Sequence, residues 1–369
     1  MKTVFRRFIE LCYEIIRIII VFKIYFFEVI EIYRKRKLYS QIKWTREEQL
    51  EFDDYWKKIL GYKISNRWHR LYQSVNGKFD IEYIPEWMYT VKLETLYNPM
   101  LKSRLLEDKS LCEILFFDEG QRYRFPKTVI VRDGDYFYDE KRQLLSIDRV
   151  EEIILSKGLL IIKPSVGGSS GNDVKLLNSD DLLQELLNNK SYTQCIVQEK
   201  VEQSTVLSSL NPSSLNTFRV ITYICDSKIH HCPISLRIGG GHSHLDNIHA
   251  GGMVVHVKDD GTLGNYAYKL GWGDSQEKYD IHPVSNIVFE EYTIPQIKSI
   301  ISAAYIAHTK LTGITMVSWD FALDYNNVPT LIEANLLGQS VWFPQIVSGR
   351  PLFGNRNKSM VKPISKVKM

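Results

Sequence analysis

The sequence predicts an α+β chain with antiparallel sheets behind a mostly helical N-terminal region, and three observations carry that expectation. From Trp44 to about Glu107 apolar residues recur at helical spacing, with many aromatics. From Phe125 the texture changes to short apolar runs punctuated by Gly, Pro, Asn and Asp. Two pairs of those runs flank turn residues, Asp226-Ser227 and Tyr325-Asn326-Asn327, as hairpin strands do. The 369 residues leave room for two or three folding units. An apolar fraction of 44% with 24% charged residues excludes a disordered or fibrous chain. A net charge of +4 is too small a surplus for a nucleic-acid binder. The five cysteines (Cys12, Cys112, Cys195, Cys225, Cys232) are scattered, without C-x-x-C spacing. That pattern argues for a reducing compartment and against a disulfide framework or a zinc site.

The N-terminal segment concentrates cations: Lys2, Arg6, Arg7, Arg17, Lys23 and the run Arg34-Lys35-Arg36-Lys37, around an Ile/Phe/Tyr/Val-rich stretch from Phe8 to Tyr33. At about 100° per residue Arg6, Arg7, Glu10, Glu14, Arg17, Glu28 and Glu31 share one sector, and only Lys23 strays. The remainder of the circumference is apolar, which defines an amphipathic helix. A spanning helix needs about 20 mostly apolar residues, and here charges interrupt the run. No A-x-A site marks a cleavable signal. Three readings stay open for residues 1–37: packing on the chain's own core or a second subunit, lying in a membrane interface with Arg34–Lys37 at anionic headgroups, or spanning.

Further along, Phe79–Ile84 reads as extended and ends at Pro85, and no G-x-G-x-x-G supports a Rossmann unit. Gly158–Ile162 and Gln194–Val201 read as strands, with Ser179 capping a helix between them that buries Leu182, Leu183, Leu186 and Leu187. Phe218–Cys225 and His230–Arg237 form the first hairpin. Thr293 and Pro295 start a helix with Ile297, Ile300, Ile301, Ala304, Ala307 and Leu311 on one face, stopped by Gly313. Ile314–Leu323 and Val328–Ala334 form the last hairpin.

That last hairpin carries the most informative chemistry. Residues two apart in a strand share a face, so Glu333 and Asn335 project together, and Asp320 on the partner strand lies within cross-strand reach. Hard oxygen ligands from a rigid hairpin suit Mg²⁺, whose shell phosphates and waters complete. A carboxylate flanked by Ile332 and Ala334 is costly without a cation. A second motif, Lys163-Pro164-Ser165-Val166 followed by Gly167, Gly168, Ser169, Ser170 and Gly171, is a strand ending in a lysine and a Gly/Ser turn. Glycines let backbone N–H groups approach phosphate oxygens. The pattern is not a P-loop, because Lys-Ser/Thr does not follow the glycines.

Taken in order, these elements resemble the ATP-grasp superfamily. Asp108-Lys109 is similar to its first nucleotide lysine, and Lys163 with Gly167–Gly171 to the second lysine and phosphate-covering loop, close to that of D-alanine–D-alanine ligases. Val197, Gln198, Glu199, Lys200 and Val201 resemble the hinge strand that hydrogen-bonds adenine, with Glu202 as the ribose candidate. Asp320, Glu333 and Asn335 match the D…E-x-N magnesium triad. More narrowly, Leu210–Arg219 and Asp246–Gly252 resemble the sugar-transfer-associated ATP-grasp subfamily. The resemblance is strong over 100–350, weaker over 44–99 and absent over 1–40; the usual α/β fold ahead of the small domain is not evident.

The resemblance implies an ATP-grasp fold, two α+β subdomains with antiparallel sheets clamping ATP. With the residue pattern it divides the chain into five segments: the pattern gives an amphipathic basic helix over 1–40, a mostly helical domain over 41–107 and a basic tail over 356–369, and the resemblance implies a nucleotide-clamping subdomain over 108–203 and a metal- and substrate-binding subdomain over 204–355. The activity implied is an ATP- and Mg²⁺-dependent carboxylate–amine ligase with an acyl-phosphate intermediate, acting in bacterial surface-polysaccharide (capsule) synthesis. Its partners would be a small-molecule or lipid-linked glycan and an amine or amino acid, in the cytoplasm or at the inner face of its membrane. A kinase on the same fold is the alternative. Lys109 and Lys163 would hold α/β phosphates, Arg237 the γ-phosphoryl or acyl phosphate, and Arg219 the same cluster or the substrate carboxylate. Gly239–Gly241 and the loop holding Asn247, His249, Gly251 and Gly252 are expected as flexible, polar acceptor loops, with His249 a candidate general base.

Overall fold

The computed structural model describes residues 19, 21–167, 173–241, 251–271 and 276–366. The chain separates into two compact units, Met1–Tyr97 with Gly271–Gln276 and Gly338–Met369, and Asn98–Leu270 with Glu277–Leu337.

The first unit is helical. Helix α1 (residues 21–34) breaks at Lys35 and continues as α2 (Arg36–Gln41); α3 (Arg46–Leu60) and α4 (Arg67–Asn76) follow. A capping box starts α3: the Thr45 hydroxyl accepts from Glu48 N–H while the Glu48 carboxylate accepts from Thr45 N–H. Gly61 and Gly77, both left-handed, end α3 and α4. Buried aromatics (Phe52, Trp56, Trp68, Tyr72, Tyr83) make the core. The predicted extended stretch Phe79–Ile84 joins no strand ladder. Its carbonyls are taken by side chains instead: Trp56 Nε1 donates to Ile81 O at 3.0 Å and Tyr72 OH to Ile84 O at 2.9 Å. Helix α5 runs from Glu86–Met88 through a π turn, Tyr89–Leu93, into Glu94–Tyr97. The C-terminal helices Trp342–Ser348 and Asn357–Val361 complete this unit; Gln345 clamps Ile84, donating to its carbonyl at 2.9 Å and accepting from its N–H at 2.8 Å.

The second unit holds both sheets. The smaller runs β3-β2-β1-β6-β4-β5, where β1 is Thr128–Asp133, β2 Tyr136–Tyr138, β3 Leu144–Leu145, β4 Leu160–Pro164, β5 Lys175–Leu177 and β6 Gln194–Glu199. One face packs Ile130, Leu160, Ile162, Cys195 and Val197 into a core with helices α7 (Ile147–Leu155) and α8 (Ser179–Asn188), which follow α6 (Met100–Leu106) in the chain. By alternation Ile161, Lys163, Ile196 and Gln198 point to the opposite face. Asn178, not Ser179, caps α8: its extended backbone brings the side chain to Asp181 N–H at 2.9 Å.

The larger sheet runs β12-β11-β10-β9-β7-β13-β14, with β8 paired to β7. Its strands are β7 (Thr217–Cys225), β8 (Lys228–His231), β9 (Ile234–Ile238), β10 (Met253–Val257), β11 (Leu263–Leu270), β12 (Gln276–Tyr279), β13 (Met316–Leu323) and β14 (Pro329–Asn335). Asp226 and Ser227 both adopt positive φ, the geometry of a two-residue hairpin turn. The expected second strand of this hairpin is split at Cys232-Pro233, so that β8 and β9 each pair with part of β7. Helix α9 (Ile297–Thr309) covers one face of the sheet. It starts after Thr293 and Pro295 because the preceding backbone is committed elsewhere: Ile294 N–H donates to Gly261 O, and Tyr292 O accepts from Leu263 N–H, each at 2.9 Å.

Candidate active site

The face of the larger sheet opposite α9 carries the polar side chains. Val317, Trp319, Phe321 and Leu323 of β13 enter the core, so Ser318 and Asp320 point the other way. On β14, Leu331 and Ala334 both enter that core, although they lie three residues apart. A register shift between Asp320 and Phe321 absorbs the extra residue and places Glu333 directly opposite Asp320 and Asn335 opposite Ser318. Asp320 is also the register partner of Arg219 on β7, so Glu333, Asp320 and Arg219 form one rung across three strands.

The contacts along this rung are tight. Arg219 forks onto Asp320, Nε to Oδ1 at 2.6 Å and Nη2 to Oδ2 at 3.1 Å, and Arg237 Nη2 reaches the same Oδ2 at 3.0 Å. Thr217, the register partner of Arg237, accepts from its Nε at 3.0 Å and its Nη2 at 2.7 Å. Asn335 Nδ2 sits 3.4 Å from Asp320 Oδ2. Burial disfavours the Asp320 anion, yet the guanidiniums of Arg219 and Arg237 hold its carboxyl below the usual range.

Two lysines reach the same place from the other side. Asp108 caps a single 3₁₀ turn that presents Lys109, and Lys109 N–H donates to Ser165 O at 2.9 Å. Its Nζ pairs with Glu333 Oε1 at 2.9 Å and donates to Gly167 O at 3.2 Å, tying the glycine loop to the hairpin. Lys163 is buried on β4; burial, with Lys109 adding to it, pulls its ammonium pKa down, while Glu333 opposes the fall. Lys109, Lys163, Arg219 and Arg237 thus face Asp320 and Glu333, an excess of positive charge suited to a polyphosphate.

One participant escaped the sequence reading. Glu107 Oε1 accepts from both Leu336 N–H and Leu337 N–H at 2.7 Å, fixing the chain just beyond Asn335. Burial pushes the Glu107 carboxyl up, the two backbone donors pull it down, and Glu333 adds to the rise. The only signal was an acid two residues before Lys109. Beside the lysines, burial pushes the Cys112 thiol up to about 12.

In the strand expected as the hinge, β6 ends at Glu199 rather than Val201. Glu199 is drawn to Lys157 at 2.9 Å and Lys127 at 3.2 Å, and Gln198 Nε2 donates to Thr128 Oγ1 at 3.2 Å. Glu199, Lys200, Val201 and Glu202 line a cavity of about 580 Å³ with Gly158 and Ser214, a volume in the range of small-ligand sites.

The acceptor-loop expectation changes. Gly239 is pinned, not flexible: Asn211 Nδ2 donates to Gly239 O at 2.6 Å, His282 Nε2 lies 3.1 Å from the same oxygen, and Gly239 N–H donates to Asn216 Oδ1 at 3.2 Å. The Asn-rich stretch before β7 therefore builds this strand end. Gly240 lies so close to Gly251 that a Cβ would stand 2.0 Å from its carbonyl oxygen. Gly252 precedes β10. Gly168, Ser169, Ser170, Gly171, Asn247 and His249 lie outside the described residues.

Among the described residues no three His, Cys, Asp or Glu side chains converge as a metal group. The hairpin offers two carboxylates and an amide, a hard-oxygen set that fits Mg²⁺ sharing its shell with phosphate and water.

Two sheets with a cation cluster between a lysine-bearing strand and a D…E-x-N hairpin define an ATP-grasp fold. Residues 89–360 match the sugar-transfer associated ATP-grasp family, more than half of the chain, and the chain belongs to that family. No curated protein sequence matches it. Similar solved structures include D-alanyl-alanine synthetase A from Vibrio cholerae, 13% identical, covering 71% of this chain and 65% of that one at a TM-score of 0.41. An L-amino acid ligase from Bacillus licheniformis is 12% identical, covering 70% and 48% at 0.39. N5-Carboxyaminoimidazole synthetase from Staphylococcus aureus, complexed with ADP, is 13% identical, covering 73% and 52% at 0.36. The chain spans about half to two thirds of the length of these structures.

Proposed function

We propose that this chain is an ATP-dependent carboxylate–amine ligase that joins an amine or amino acid to a sugar acid or related glycan in surface-polysaccharide synthesis. The observation that carries the reading is the Arg219–Asp320–Arg237 cluster, set opposite Lys109 and Lys163 and beside Glu333. Phosphoryl transfer asks mainly for positioning and charge neutralisation, and this arrangement offers both. A carboxylate oxygen of the substrate attacks the γ-phosphorus of ATP and ADP leaves. The amine then attacks the acyl carbon, inorganic phosphate departs, and the nitrogen gives up a proton.

Lys163 and Lys109 bind phosphate oxygens. Lys109 exchanges its contact with Glu333 for the nucleotide, which frees that carboxylate. Arg219 and Arg237 keep Asp320 ionised and present their remaining N–H groups to the transferred phosphoryl. Thr217 orients Arg237. Asp320, Glu333 and Asn335 would hold Mg²⁺, which when bound supplies charge neutralisation along the phosphates. The hinge residues Glu199–Glu202 would cradle the base in their cavity.

The test is a reaction of the purified protein with ATP, Mg²⁺ and panels of uronic acids, amino sugars and amino acids, read by mass spectrometry. ADP, phosphate and a condensed product in equal amounts are expected. A stable phosphorylated acceptor without condensation would make the protein a kinase.

A further inference from the structure

Helix α1 is amphipathic, but its polar sector faces inward. Glu31 pairs with Lys35 at 3.0 Å, and Lys35 Nζ is itself buried, donating to Gly271 O at 3.1 Å and lying over the Trp342 ring. Glu28 sits beside Thr90 and Glu94 of α5 and Glu86 at its start. Ile32 is buried with them. The outward face is aromatic and apolar: Phe22 is 69% exposed, Phe26 54% and Tyr33 56%, with Tyr25, Phe27 and Val29 also exposed. Phe22, Phe26, Val29 and Tyr33 recur at four, three and four residues, one stripe along the helix.

A stripe of large apolar side chains this exposed marks an interaction surface. Its charge says what kind. Among the described residues 21–37, every exposed charged side chain is a cation (Lys23, Arg34, Arg36, Lys37), because both glutamates point into the protein. A second copy docking by the same face would set cations against cations, and its seam would be mostly Phe and Tyr, with Val29, rather than the Leu and Ile that interlock in helix pairs. Phenyl and tyrosyl groups with lysines and arginines alongside suit the boundary between acyl chains and anionic headgroups. No helix among the described residues is long and apolar enough to cross a membrane. With Glu28, Glu31 and Ile32 turned toward the protein, the outward face of α1 is the side left for a bilayer, as in a helix that lies on it. We infer that the outward face of α1, with the exposed cations Lys23, Arg34, Arg36 and Lys37, is a docking surface for an anionic lipid bilayer.

The test is co-sedimentation of the full chain with vesicles of phosphatidylcholine alone and of phosphatidylcholine with 30% phosphatidylglycerol, alongside lipid-free light scattering. Binding to the anionic vesicles should exceed that to the neutral ones at least tenfold and weaken in about 0.5 M salt. The double variant Phe22→Ser, Phe26→Ser should lose about tenfold or more, and Lys23→Gln with Lys37→Gln should lose the preference for anionic lipid. Circular dichroism melts matching the parent show that each variant is folded. Equal partition of the parent onto both vesicle types, or unchanged binding of the folded Phe variant, overturns the inference. So does a lipid-free dimer that the Phe variant dissolves, since a second copy would then own the face.

Discussion

Two clusters of buried carboxylates, one in each unit, behave in opposite ways. Asp320 lies deep in the larger sheet, yet its carboxyl stays below the usual range because two guanidiniums close on it. Glu28 and Glu86 are buried among acids: burial and then Glu31 lift Glu28 to about 7, and burial and then Glu28 and Glu94 lift Glu86 well above its ordinary value. Oε2 of each has no hydrogen-bond partner among the described residues. Burial is common to both sites, so the sign of the neighbours decides which carboxylate stays charged. A charged oxygen held by cations is ready to trade them for a ligand. A protonated one serves as a neutral packing group whose state follows pH.

The comparison is broken most forcefully at Asp320. Asp320→Asn should cut ATP-dependent turnover by about 100-fold or more and lower thermal stability, because Arg219 and Arg237 lose their shared counter-charge. Steady-state ADP release and a melting curve check the two effects separately. Gly240→Ala should come next, costing about 1–3 kcal/mol by denaturant titration, since its Cβ has no room beside the Gly251 carbonyl. Glu107→Gln should lower turnover by about tenfold with a smaller effect on stability, because the amide oxygen still accepts from Leu336 and Leu337 but without charge.

The smallest effect is the one that sharpens the contrast. Glu28 ionises near 4.5 in the unfolded chain and about 7 in the folded one. Between those values the folded unit keeps a proton that the unfolded chain has released, so stability falls as pH rises through the window. Glu28→Gln should therefore melt like the parent at pH 4.5 and several degrees higher at pH 8. Glu86, lifted in the same direction, leaves part of the slope in place. Asp320 has the opposite sign: its stabilising pairing is present above the ordinary 3.8 and disappears as pH falls through its lowered value.

Much of the sheet-bearing unit was legible in the sequence because strand periodicity is strict. Once Tyr325–Asn327 is taken as the turn, Glu333 and Asn335 must share a face and Asp320 must be near. What the periodicity could not supply was the bulge that seats Glu333 directly across from Asp320, or that Arg219 falls on the same rung. Those depend on register, which is settled by packing on both sides of the sheet. Glu107 was invisible for a similar reason: its partners are backbone donors 229 and 230 residues away. In the helical unit the angular pattern of α1 was readable, but which side faced the protein was not. Its glutamates turn inward because Lys35, Thr90 and α5 are there to receive them.

The central claim is that the cluster of Lys109, Lys163, Arg219 and Arg237 around Asp320 receives the phosphates of ATP. Calorimetric titration of ATP with Mg²⁺, and of adenosine, into the parent and Lys163→Met tests it most directly. The account predicts ATP binding that weakens at least tenfold in the variant while the weaker adenosine binding stays as it was. Equal ATP affinity in the two proteins, or ATP binding no tighter than adenosine in the parent, would contradict it.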